Sequence, residues 1–198
     1  MSTAAAVANP TGDEWKQPSR GMVGMACLIA AESAIFVIFV VAYIYYTGKS
    51  LSGPTPREVL SLPVFSTICL LSSSITVHFA VHELQASRIG RFIAWLASTV
   101  LLGGIFIAST AKEWYELIYH EGLTIRTNLF GTTFYSLVGL HASHVIAGLI
   151  MLGLALIFAL QGKVNAHHAE RLEVLSVYWH FVDAVWVVVF TTVYGLGR

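Results

Sequence analysis

Five side chains able to carry a proton or bind a metal stand inside stretches otherwise built of aliphatic and aromatic residues: Glu32, His141, His144, His180 and Asp183. His141 and His144 are three residues apart, as are His180 and Asp183, so each pair shares one face wherever its stretch is helical. A charge at the centre of a bilayer-spanning helix costs about 2.5–3.5 kcal/mol even on the lenient insertion scale. Groups so placed face each other, water or another helix. Three kinds of chemistry fit them: ligation of haem or non-haem iron, hydrogen bonding between helices, and a proton or substrate path.

For the redox case, bis-histidine haem b needs two ligands on facing helices. His78 and His82 could serve, but they stand near the end of their stretch. A chain of this kind would act as the membrane anchor of a dehydrogenase. A di-iron site needs several carboxylates at one depth, often in Glu-x-x-His pairs, and only Glu32 and Asp183 lie away from the ends of the apolar stretches. For the interhelical case, the three histidines donate to Glu32 and Asp183 or to backbone carbonyls, because polar groups in hydrocarbon must find partners. For the path, Glu32 stands among Ala30, Ala31, Ser33 and Ala34, small residues that leave room for water or a neighbouring helix.

What positions these groups follows from composition. Of 198 residues, 56% are hydrophobic and 11% charged, and the mean hydropathy is +0.72. Soluble domains carry about a quarter charged residues, so the chain belongs in lipid. Eleven basic residues balance eleven acidic ones, which argues against a nucleic-acid partner or electrostatic attachment to a membrane surface.

Apolar runs predict an all-α integral membrane protein with five transmembrane helices, over about 21–46, 60–81, 92–109, 128–161 and 172–196. Together they form one domain over 20–198, with 1–19 expected as a mobile arm. The start is polar and holds Asp13, Glu14, Lys16 and Arg20, so the first span itself should be the insertion signal. Pro63 falls in the first turn of span two, where a missing N–H costs little. Gly103 and Gly104 permit close helix approach in span three. Span four is about 50 Å long at 1.5 Å per residue, and must tilt or protrude. Between spans three and four, the segment with Glu113, Trp114 and Glu116 mixes charges and aromatics and is expected in the interface. Cys27 and Cys69 are expected as packed, unbridged thiols, His167 and His168 as a solvated loop pair, and Trp179 and Trp186 as packing aromatics seven residues apart on one face.

With the N-terminus inside, six Lys and Arg residues fall inside and five outside. The positive-inside rule decides nothing on a margin of one.

Four stretches resemble subunit III of the haem–copper terminal oxidases, the cytochrome c oxidase and quinol oxidase family. They are Gly24-Met25 leading to Ala31-Glu32; Glu113-Trp114-Tyr115-Glu116; Gly131-Thr132-Thr133-Phe134 through Gly139-Leu140-His141-Ala142-Ser143-His144-Val145; and His167-His168 followed by Tyr178-Trp179-His180-Phe181-Val182-Asp183-Ala184-Val185-Trp186. The resemblance implies a non-redox subunit of a proton-pumping oxidase that reduces oxygen to water, with no cofactor in this chain. Haem and copper are then expected in the partner subunits. The implied partners are catalytic subunit I, subunit II and a small subunit IV, together with phospholipid. The implied role is structural support, lipid binding and proton uptake. Glu32 matches the family's intramembrane carboxylate, His141 and His144 its span-four histidines, and His180 with Asp183 its last-helix signature.

The chain also departs from the pattern. Longer members carry two further N-terminal helices, and this chain begins at what would be their third. Where they carry a basic residue near the inner end of span four this chain has Phe158, with Lys163 the nearest cation. The resemblance implies a bacterial inner membrane, with the N-terminus cytoplasmic and the C-terminus periplasmic.

Overall fold

A computed structural model describes residues 19–50, 60 and 62–196, and every regular element among them is helical. Among the described residues, five helices are long and apolar enough to cross a membrane: α1 Arg20–Tyr46, α2 Val64–Gln85, α3 Ile89–Tyr119, α4 Leu129–Leu160 and α5 Ala169–Phe190. A 3-10 turn, Ala166–His168, leads into α5, and a π-helical turn, Thr191–Leu196, continues it. Of the expected arm 1–19, only Ser19 lies within the described residues, where its Oγ caps α1 by accepting from the Met22 N–H at 3.3 Å. Such a cap satisfies one of the N–H groups that a helix start leaves unpaired. Asn128 caps α4 in the same way, its Oδ1 accepting from the Gly131 N–H at 2.8 Å.

α2 and α4 both close with Schellman turns. In α2 the left-handed residue is Ser87 at φ 59°, and the Arg88 N–H returns to the Glu83 carbonyl at 2.9 Å. In α4 it is Gly162 at φ 70°, with the Lys163 N–H on the Phe158 carbonyl at 3.0 Å. Such turns reverse the chain within a few residues, so consecutive spans run antiparallel.

α2 pairs with α3, α3 with α4, α4 with α5, and α5 returns to α2, while α1 leans on α4 and α5. Trp179 and Trp186 of α5 point into this ring and are 0% and 2% exposed. Trp179 lies between α3 and α4 at two glycines. A Cβ at Gly148 would sit 2.8 Å from its ring, and one at Gly103 3.0 Å. Gly104 has no neighbour within 4 Å on that side, so only Gly103 of the expected pair serves close approach. Each indole also donates to a hydroxyl of α2: Trp179 Nε1 to Ser73 Oγ at 2.8 Å, and Trp186 Nε1 to Thr67 Oγ1 at 3.1 Å. The paired numbers run in opposite directions, as antiparallel helices require.

Three expectations change. Span three is longer than the expected 92–109, because α3 runs from Ile89 to Tyr119 and takes in residues 112–119 as its last turns. The charges are carried within the helix: Lys112 and Glu116, one turn apart, lie 3.7 Å from each other, while Glu113 turns inward. Cys27 is exposed on the outside of α1, and only Cys69 is packed; both thiols are free. Span two begins at Val64 rather than near residue 60, with Pro63 just before its first turn.

Candidate functional site

The five intramembrane groups separate into two clusters and one isolated ring. The first cluster joins α1 to α4. Glu32 stands twelve residues past Arg20, about 18 Å along a helix axis and so near mid-bilayer. Its Oε2 is 3.2 Å from His144 Nε2, and His144 Nδ1 is 2.8 Å from the Leu140 carbonyl. A carbonyl only accepts, so Nδ1 carries a hydrogen. Nε2 then either accepts from a protonated Glu32 or donates, as imidazolium, to its carboxylate. Both forms hold one proton between the two groups, and both are neutral overall. That makes the pair tolerable in hydrocarbon while leaving a proton free to change owner.

Phe36 covers the His144 ring at 5.0 Å between centroids, and Tyr178 Oη donates to the His144 carbonyl at 3.3 Å. The pair borders a cavity of about 290 Å³, lined also by Leu28, Ser143, Ala147 and Met151. The side chains of Glu32 and His144 remain 24% and 14% exposed, so the proton they share can be reached from outside the bundle.

The second cluster joins α2 to α5. Ser74 Oγ donates to Asp183 Oδ2 and lies 3.0 Å from His180 Nδ1. A hydroxyl has one hydrogen, so with that hydrogen on Asp183 the imidazole must donate to Ser74. The chain runs His180 to Ser74 to Asp183. This is not a nucleophile arrangement, which needs the acid on the histidine and the histidine on the serine. Here serine stands between the other two. Asp183 Oδ1 is buried without a partner among the described residues.

His141 joins neither cluster, although it shares a helical face with His144. It is 1% exposed and stacks on Trp186 at 5.0 Å, with Phe106 edge-on at 6.0 Å and Phe36 at 6.4 Å. Neither ring nitrogen has a partner among the described residues. The two span-four histidines are thus directed to different neighbours. Among the described residues, no three His, Cys, Asp or Glu side chains converge as metal ligands.

At the far end of α3, Glu113 Oε1 accepts from Tyr194 Oη at 2.9 Å. The π-helical turn supplies that contact, since wider winding shifts Tyr194 around the axis relative to a continued α-helix. Trp114 packs edge-on to Tyr135 at 5.3 Å, and Glu116 remains outside with Lys112. His167 is exposed, and His168 closes the turn before α5 by accepting from the Asn165 N–H at 3.3 Å.

Sequence reasoning missed Ser74, Thr67, Ser73 and Tyr194. The signal for the first three is the density of hydroxyls in one span, with Ser72-Ser73-Ser74 and Thr67 and Thr76 in a helix otherwise apolar.

These features define a multi-pass, all-helical membrane protein held together by interhelical polar contacts, with a protonatable pair open to its outer surface. Residues 7–198 match the family described as cytochrome c oxidase subunit III. Cytochrome c oxidase subunit 3 of Bacillus sp. (strain PS3) is 34% identical over 177 residues, covering 88% of this chain and 85% of that protein. Cytochrome bo(3) ubiquinol oxidase subunit 3 of Pseudomonas aeruginosa is 32% identical, covering 88% and 84%. Quinol oxidase subunit 3 of Bacillus subtilis is 29% identical, covering 89% and 87%. The chain belongs to the subunit III family of the haem–copper oxidases. It is therefore a subunit of an oxidase complex and associates with other oxidase subunits.

Proposed function

We propose that this chain is the non-redox subunit of a proton-pumping oxidase that reduces oxygen to water, and that it keeps the catalytic subunit supplied with protons through many turnovers. The observation that carries this reading is the Glu32–His144 pair, whose Oε2 and Nε2 lie 3.2 Å apart beside an outward-opening cavity. Such a pair is neutral while it holds one proton, and releasing that proton or taking up a second passes through a singly charged state that the cavity beside it has to solvate.

In this reading haem and copper reside in the partner subunits, with subunit I as the catalytic neighbour and subunit II and a small subunit IV completing the complex. Phospholipid lies against the apolar faces of the bundle, and Lys163, beside the Phe158 ring at 6.0 Å, is the cation nearest the inner end of α4. The chain resides in a bacterial inner membrane with its N-terminus cytoplasmic and its C-terminus periplasmic.

Two measurements on the purified oxidase test the proposal. After the subunits are separated, a pyridine haemochrome assay should find the haem with the other subunits, and stoichiometric haem on this chain would overturn the reading. The oxidase stripped of this chain should begin at its normal rate and then lose activity during turnover. Normal activity over many cycles would reduce the chain to a scaffold.

A further inference from the structure

Two histidines of α2 belong to neither cluster, although they stand on the side of the helix that carries Ser74. His82, His78 and Ser74 follow one another at intervals of four residues, so their side chains rise along α2 in one-turn steps. They lie three, seven and eleven residues before Gln85, where α2 ends. At 1.5 Å per residue that is about 5, 11 and 17 Å from the helix end. His82 and His78 are exposed, and Ser74 is half-buried. The stripe thus begins at the edge of the hydrocarbon, beside the turn into α3, and reaches mid-membrane at Ser74.

At Ser74 the stripe crosses to α5. The hydroxyl lies 3.0 Å from His180 Nδ1 and donates to Asp183 Oδ2. One group thus accepts and donates at once, which is what handing on a proton requires. Beyond it the line stops. Asp183 is 4% exposed, and its Oδ1 has no partner among the described residues. A single hydroxyl answers this carboxylate, so a proton arriving there removes a poorly solvated charge. The other titratable groups that face α5 meet it elsewhere: Glu32 and His144 beside Tyr178, His141 on Trp186, and Glu113 at Tyr194.

We infer that His82, His78, His180, Ser74 and Asp183 form a second proton route, which loads a proton from the membrane edge onto the buried Asp183 carboxylate. Side chains one turn apart on a helix stand about 5–6 Å from each other, the span of one water hydrogen-bonded to both. A water carries the proton from His82 to His78, and another serves His180, which lies against Ser74 one turn further on. The last transfer is concerted. His180 Nε2 gains a proton as Nδ1 gives its own to Ser74 Oγ, and the Ser74 hydrogen passes to Asp183 Oδ2. Imidazole and hydroxyl end neutral, with the histidine hydrogen moved from Nδ1 to Nε2. The site has gained one proton and lost its negative charge, and the reverse sequence returns the proton. The route goes beyond the Glu32–His144 pair and shares no residue with it.

The test is infrared difference spectroscopy on the intact purified oxidase, isotope-labelled at its aspartate carboxyl groups and exposed to a light-triggered drop in pH. A carbonyl band of a protonated aspartic acid should appear, shift with the label, and be missing from Asp183→Asn. His78→Leu changes an exposed side chain and should slow the appearance of the band several-fold. Ser74→Ala should slow it too, and Ser74→Thr, which keeps the hydroxyl, should restore the rate. Glu32→Gln should leave the band and its rate unchanged, so this readout and the turnover lifetime of the Glu32→Gln oxidase fail independently. Absence of a label-sensitive band that depends on Asp183 would overturn the inference. A band that rises at the wild-type rate in His78→Leu would overturn it as well.

Discussion

Glu32 of α1 and His144 of α4 meet at 3.2 Å with the second histidine nitrogen fixed on a carbonyl, so the pair holds one proton whichever residue carries it. Removing either partner has different consequences. His144→Leu leaves the Glu32 carboxyl facing apolar groups and should destabilise the bundle by about 1–2 kcal/mol, the upper range for interhelical hydrogen bonds in membranes. Glu32→Gln keeps a bond, because the amide can donate to Nε2. Thermal unfolding in detergent should rank His144→Leu below Glu32→Gln; the reverse order would mean that the contact is not the one described.

Trp179 fills the space that Gly103 and Gly148 leave open. Trp179→Ala should cost about 3–5 kcal/mol, as large-to-small changes in a packed core do. Gly148→Ala drives a methyl into the same ring and should cost about 1–3 kcal/mol through overpacking. Combining the two should cost less than the sum, because the ring that the new methyl strikes is gone. A double-mutant cycle measured by unfolding reads this directly, and simple additivity would contradict the packing.

How much of this was legible beforehand depends on the distance over which each feature is encoded. The five spans are local apolar runs and could be read, and so could Trp179 and Trp186 as packing residues. Pairing could not, because it depends on which helices touch. His141 and His144 look equivalent in sequence, yet one stacks inside on Trp186 and the other reaches Glu32. The charges at Lys112, Glu113 and Glu116 interrupt the apolar run, yet α3 continues through them, with an ion pair one turn apart and Glu113 on the Tyr194 hydroxyl. Tyr194 itself reaches Glu113 through a π-helical turn that no residue pattern announces. Ser74 was passed over because a serine in an apolar helix most often bonds its own backbone, as Ser73 does on Leu70 at 2.5 Å while also receiving the Trp179 indole.

Ser74 is the only partner that Asp183 has for its Oδ2, and Oδ1 has none among the described residues. Ser74→Ala should therefore destabilise by about 1–3 kcal/mol, the cost of leaving a buried acceptor unsatisfied. Adding Asp183→Leu should recover part of that loss, since replacing both partners with apolar groups is less costly than removing one. Unfolding midpoints of the two single variants and the double variant check this. A double variant no more stable than Ser74→Ala would show that Asp183 is held by something else.

Tyr194 donates to Glu113 across the gap between α5 and α3. Tyr194→Phe keeps the ring and removes the donor, so about 1.5–3 kcal/mol, the range for hydrogen bonds to charged groups, is the most it should cost. Amide exchange at the end of α5 should accelerate while the middle of the helix stays protected. Uniform loss of protection would indicate that the ring, not the hydroxyl, was displaced.

If Glu32 supplies protons and binds no cofactor, as proposed, the Glu32→Gln oxidase followed through continuous turnover alongside the wild type should show normal haem content, a near-normal initial rate of oxygen consumption, and activity that falls away after fewer turnovers. Haem loss at assembly, or a turnover lifetime equal to that of the wild type, would contradict it.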